Sequence, residues 1–131
     1  MKFVYTLFLI SLVYTIMSSS VIASSFGSEN TAISSDTNKG TLIVNMTTVN
    51  GDKGKINSSD FTVYIHANDP IPATFKGNSS GTMVKLSMGM YSVTTSSVTN
   101  YNSSLSNDCT GGIMKVETKT CNIVNTFSYP N

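Results

Sequence analysis

Apolar and polar residues alternate with a period of two from Thr41 onward, where Leu42, Val44 and Met46 are interleaved with Ile43, Asn45 and Thr47. Successive side chains of a strand point to opposite faces, so this run predicts a strand with one face in a core. Asn50-Gly51 supplies a turn, and after the polar stretch 52–59 Phe61, Val63 and Ile65 alternate with Thr62, Tyr64 and His66 as a second strand, ended by Pro70 and Pro72. Phe75 sits in a short third segment. Gly81 opens Thr82-Met83-Val84-Lys85-Leu86, which Ser87-Met88-Gly89 joins to Met90-Tyr91-Ser92-Val93-Thr94-Thr95, and this reads as a hairpin. A further strand runs through Tyr101 and Leu105 towards Cys109, and the last covers 120–127 with Ile123 and Val124 as its apolar residues. Seven or so short strands separated by Gly, Pro and Asn turns, with no helical period among them, predict an all-β sandwich.

Before these strands the pattern changes. Lys2 is the only charge in a leader whose 3–17 stretch is nearly unbroken apolar residues, and Val21-Ile22-Ala23 places small residues at a cleavage site. The expectation is a signal peptide over 1–23 cut after Ala23. The competing reading is an uncleaved anchor, since 4–22 approaches the roughly 20 residues that span a bilayer. Tyr5, Thr6, Ser11, Tyr14 and Thr15 dilute the run and favour cleavage. Residues 24–39 are small, polar and aperiodic, a flexible linker, and the domain is expected over 40–128.

Composition narrows the function classes. The 131 residues hold 8 basic and 7 acidic side chains for a net charge of +1, which offers neither a basic stripe for nucleic acid nor an acidic tail. Ser, Thr and Asn dominate the polar positions and suit an extracellular β surface solvated by uncharged groups.

Both cysteines, Cys109 and Cys121, lie in the exported part of the chain. A pair flanking one short segment is read as a disulfide, and if strands meet around a turn near 115–117 the two thiols fall opposite one another. Closing a loop of about 13 residues contributes roughly 3 kcal/mol, a large share of the typical total of about 5 to 15 kcal/mol. A metal-bound or reactive pair is disfavoured because the spacing is not CxxC and the only histidine, His66, is far away in sequence.

The order of several short motifs carries a family resemblance. Gly40-Thr41-Leu42-Ile43-Val44, Asp60-Phe61-Thr62-Val63, Pro70 and Pro72 before Phe75, Gly81-Thr82, Gly89-Met90-Tyr91-Ser92-Val93-Thr94, Tyr101, Asp108-Cys109-Thr110-Gly111, and the run from Glu117 to Asn125 together resemble the prealbumin-like surface domains of the SpaA and Cna-B type. That resemblance covers nearly the whole chain after the leader. It implies a seven-stranded, transthyretin-like (Ig-like) sandwich serving as a module of prokaryotic cell-surface adhesins and pilins.

It also implies a question. Many members cross-link a first-strand Lys to a last-strand Asn with help from a buried Glu, because burial must leave the amine neutral and a protonated carboxyl must polarise the Asn carbonyl. Asn125 matches the acceptor, but Thr95 stands where the Glu belongs and Asn45, Met46 and Thr47 stand where the Lys belongs. The expectation is therefore no isopeptide bond, with Asn125 an ordinary strand-end residue.

Other candidates are weaker. Asn45-Met46-Thr47, Asn57-Ser58-Ser59, Asn78-Ser79-Ser80 and Asn102-Ser103-Ser104 are N-glycosylation sequons, with Asn45 the least convincing because it falls in a strand. His66 has no Ser or Asp tied to it by motif and is read as solvent-facing rather than as a base. Met46, Met83, Met88, Met90 and Met114 are read as gap-fillers and exposed loop residues rather than soft-metal ligands. Asp52, Asp60, Asp69 and Asp108 are scattered, not arranged as a calcium loop, so no metal or cofactor is expected.

The resulting expectation is a secreted or cell-surface, non-enzymatic module with a structural or adhesive role. Its partner is a surface, a glycan or a protein subunit, and a membrane only if the leader is uncleaved. The alternative is a small secreted carbohydrate- or ligand-binding domain, in which the 68–80 loop and the 96–107 segment shape a polar pocket and Tyr64, Tyr91 and Tyr101 stack on a sugar.

Overall fold

The computed structural model describes residues 37–130, in which the period-two runs form eight strands. These are β1 (Lys39–Val49), β2 (Thr62–His66), β3 (Thr74–Lys76), β4 (Thr82–Ser87), β5 (Gly89–Thr95), β6 (Tyr101–Leu105), β7 (Thr110–Ile113) and β8 (Thr118–Phe127). Short 3-10 turns occupy Ser58–Asp60 and Asn107–Cys109. The leader and most of the linker expected over 24–39 lie outside the described residues.

The strands form two four-stranded sheets, ordered β4-β1-β8-β6 and β3-β2-β5-β7. In the first, β1 runs antiparallel to β4 and parallel to β8, in register from Thr41↔Thr118 to Val49↔Thr126. The sheets pack through their inner faces. Leu42, Val44, Met46, Val84, Leu86, Cys121 and Ile123 come from the first, and Val63, Ile65, Tyr91, Val93 and Ile113 from the second, with Phe61 entering just before β2. Each large apolar side chain contributes roughly 1.5 to 3 kcal/mol by leaving water. The free edge of β4 is covered by the β2–β3 loop, where Ile71 and Lys85 exchange backbone hydrogen bonds of 2.8 and 2.9 Å, which protects it from pairing with another chain.

Three expectations are corrected. The 82–95 segment is not a hairpin, because β4 pairs with β1 in one sheet and β5 with β2 and β7 in the other. Ser87-Met88-Gly89 is a corner between sheets, and Gly89 at φ 144° makes a bend that residues with a Cβ rarely adopt. Alternation along each strand is the same whether the chain reverses within a sheet or crosses the core, so it could not separate the two.

The segment from Tyr101 towards Cys109 is likewise not one strand. β6 ends at Leu105 on β8, the 3-10 turn carries the chain across, and β7 pairs with β5 in the opposite sheet. The split raises the count from seven to eight.

The disulfide Cys109–Cys121 is present, with Cα atoms 4.5 Å apart. It does not close a hairpin, since β7 and β8 belong to different sheets. It fastens the crossover turn to β8, an interior strand. Beside it, the Ser106 N–H donates to the Asn122 carbonyl (3.0 Å) and the Asn122 N–H donates to Ser106 Oγ (3.0 Å).

Because the bond closes a short loop and ties the buried Cys109 to β8, the paired variant C109A/C121A is expected to fold and to lose roughly 3 kcal/mol. Denaturant unfolding of the oxidised parent and the variant measures this. A difference below about 1 kcal/mol would show that the crossover is held by its hydrogen bonds alone.

Candidate functional site

Asn125 is the one polar side chain fully buried among the described residues. It lies within β8 opposite Thr48 of β1 and Ser103 of β6, and its Oδ1 accepts the Ser103 hydroxyl at 2.5 Å. Its Nδ2 has no hydrogen-bond partner among the described residues. The expectation of an ordinary strand-end residue is thus corrected. Alternation carries Asn125 inward in step with Cys121 and Ile123, so the strand's own period buries the amide.

The groups around it do not supply cross-linking chemistry. Met46, not a lysine, is the inward residue where the resemblance places an amine, and it is fully buried. Thr95 directs its hydroxyl to the Ser96 carbonyl at 3.0 Å. Lys39 begins β1 nine positions before Thr48, roughly 30 Å away at about 3.3 Å per residue.

At one rim of the sandwich, the Ser58–Asp60 turn docks on β1 and leaves a polar groove of about 400 Å³ lined by Thr48, Asn50, Asn57, Ser58, Gly77, Asn78 and their neighbours. Its polar groups are largely committed to each other. The Ser58 hydroxyl donates to the Met46 carbonyl (2.8 Å) and lies 3.0 Å from Thr48 Oγ1. Asn50 donates through Nδ2 to the Ile56 carbonyl (3.0 Å) and accepts the Tyr101 hydroxyl on Oδ1 (2.6 Å). Asn78 Oδ1 accepts the Ser80 N–H at 2.9 Å, and Asn57 and Asp60 form a reciprocal capping box. Gly77 is required here, because a Cβ would collide with the Ser58 carbonyl and the Met46 sulfur. In the sequence the Asn57 and Asn78 triplets carry only the sequon signal. The alternative's 68–80 loop contributes just its 77–79 end, and the 96–107 segment does not line the groove.

The three tyrosines do not converge. Tyr64 is 39% exposed on the outer face of β2. Tyr101 packs edge-on between Phe61 and Phe127 at centroid distances of 5.8 and 5.3 Å. Tyr91 is 3% exposed, and its hydroxyl donates to the Asp108 carbonyl at 2.7 Å. Desolvation, reinforced by the negative charges of Asp108 and Glu117, raises its pKa above the ordinary phenol value.

His66 is exposed, with Nε2 3.0 Å from Thr94 Oγ1. Asn57, Asn78 and Asn102 are exposed, while Asn45 is half-buried in an interior strand and donates to Asn122 Oδ1 at 3.1 Å. Asp52, Asp60, Asp69 and Asp108 are not brought together, and no group of three His, Cys, Asp or Glu side chains gathers among the described residues. Compared with family models, with curated proteins and with solved structures, the chain matches none.

Two outcomes follow from the buried polar groups. An unpaired buried donor costs about 1 to 3 kcal/mol, so Asn125→Leu is expected to be neutral or stabilising in denaturant unfolding, whereas Asn125→Asp destabilises by burying a carboxylate. A loss of more than about 2 kcal/mol in the leucine variant would show the amide is satisfied.

For Tyr91, the folded pKa is raised, so the native state favours the neutral phenol. Its stabilising contribution is complete below the unfolded value near 10 and is lost as pH rises through the folded value. Stability measured against pH should fall above about pH 10 in the parent and less steeply in Tyr91→Phe.

Proposed function

We propose that this chain is an exported, non-enzymatic module of the prealbumin-like SpaA and Cna-B type, with a structural or adhesive role at the cell surface. Two features support the family reading. The first-strand motif lies on β1 and the last-strand motif on β8, neighbours in one sheet, and the motif from Gly89 to Thr94 is β5. The sandwich of two four-stranded sheets is the kind of architecture that such a module has. In this reading the disulfide replaces the isopeptide bond of the relatives as the covalent restraint, and no cofactor is needed.

The internal commitment of the polar groove carries the structural reading. Hydroxyls and amides that bond to Met46, Ile56, Tyr101 and Ser80 hold the rim together and are not presented to a ligand. The sugar-binding alternative needs a concave patch with an aromatic face, and no ring lines this groove. Contacts then fall to the exposed Ser, Thr and Asn of the outer faces, among them Asn102 and Ser104 of β6.

Fractionation of cells that make the protein, followed by intact mass and N-terminal sequencing, tests the proposal. The expected product sits in the envelope or medium, begins at Ser24, is lighter than the reduced chain by two hydrogens, and retains all its ammonia. Recovery from the cytoplasm alone would refute export, and free thiols in unreduced material would remove the staple.

A further inference from the structure

Four of the five methionines in the domain are not gap-fillers. Met46 is fully buried, but Met83, Met88, Met90 and Met114 are 59 to 73% exposed. Strand register explains how three of them meet. β5 and β7 pair antiparallel through Gly89↔Ile113 and Met90↔Gly112, with Ile113 buried inward. Met90 therefore points outward, while Met88 and Met114 flank the last pair of the ladder, Gly89↔Ile113, and line the same groove as Met90.

The backbone clears room for these thioethers. Gly111-Gly112 puts two side-chain-free residues on the edge strand, and a Cβ at Gly112 would lie 3.7 Å from the Met90 sulfur. The three methionines line one groove of about 800 Å³. Its turn is fixed by Glu117, whose Oε2 accepts the Met114 N–H at 2.7 Å.

We propose that Met88, Met90 and Met114 form a thioether site for a soft monovalent cation, copper(I) being the natural example. Neutral thioethers select such ions over hard ones, and three rotatable bonds let each sulfur turn towards a common centre. No thiolate competes, because both cysteines are in the disulfide. Lys115 and Lys119 also line the groove, with Glu117 3.7 Å from Lys119. The net single positive charge of these three groups repels a divalent ion twice as strongly as a monovalent one at the same distance, which sharpens the preference.

Silver(I), a redox-inert probe of the same class, tests this on the full chain carrying 13C-methyl methionine. The expected result is that the methyl signals of Met88, Met90 and Met114 move together and saturate at one ion per chain, while Met46 and Met83 stay still. Each single Leu substitution at the three positions should weaken binding by about tenfold or more, the scale on which even outer-sphere partners are felt, with the melting temperature unchanged. Leucine keeps the apolar surface and removes the sulfur, so undiminished silver binding in the triple variant M88L/M90L/M114L would overturn the site. So would a parallel shift of Met83, exposed outside the groove, or failure of copper(I) held reduced by ascorbate to reproduce the silver response.

Discussion

The parallel pairing of β1 with β8 is the constraint on which the sandwich depends. It joins the first strand to the last through nine successive register positions, Thr41↔Thr118 to Val49↔Thr126. Parallel neighbours need a long connection, and here that connection is the rest of the domain. β4 and β6 flank the pair on its two sides, and the opposite sheet is laid over it by corners at Ser87-Met88-Gly89 and Asn107–Cys109. Such closure of the longest loop is entropically costly, so the inner residues Leu42, Val44 and Met46 must meet Cys121 and Ile123 for the register to hold.

Local alternation made the strand faces legible before their partners. Leu42, Val44, Met46, Val63, Ile65, Val84, Leu86, Tyr91 and Val93 are all buried as their spacing predicts. What alternation does not encode is the sheet each strand joins. Val84 and Leu86 meet Tyr91 and Val93 across the core rather than along a hairpin, and a period of two is identical in both cases. The cysteine pair was legible for the same local reason that its setting was not. Two thiols twelve positions apart signal a bond, but only tertiary placement shows that Cys109 rides on a crossover while Cys121 belongs to a buried strand.

The surface features were hidden by the same limit. Ser58, Asn50 and Asn78 are ordinary loop residues in sequence, and their mutual hydrogen bonds arise from a turn docking on β1. Asn125 was visible as a residue type in a strand, yet its burial needed the inward phase of β8, which Cys121 and Ile123 disclose once their neighbours are known. Met88 and Met114 are 26 residues apart in sequence and line one groove only because β5 and β7 pair.

The direction of β1 and β8 has a mechanical consequence. Polypeptide enters the sandwich at Lys39, two residues before the Thr41↔Thr118 pair, and leaves after Phe127, one residue past the Val49↔Thr126 pair, so entry and exit lie at opposite poles of two adjacent strands. Tension applied through the two ends slides β1 and β8 past one another and loads their hydrogen bonds all together, in shear, instead of peeling them one at a time. The Cys109–Cys121 bond clamps the middle of the loaded strand to the crossover. A domain wired this way bears traction along its length, in the direction a tether would pull.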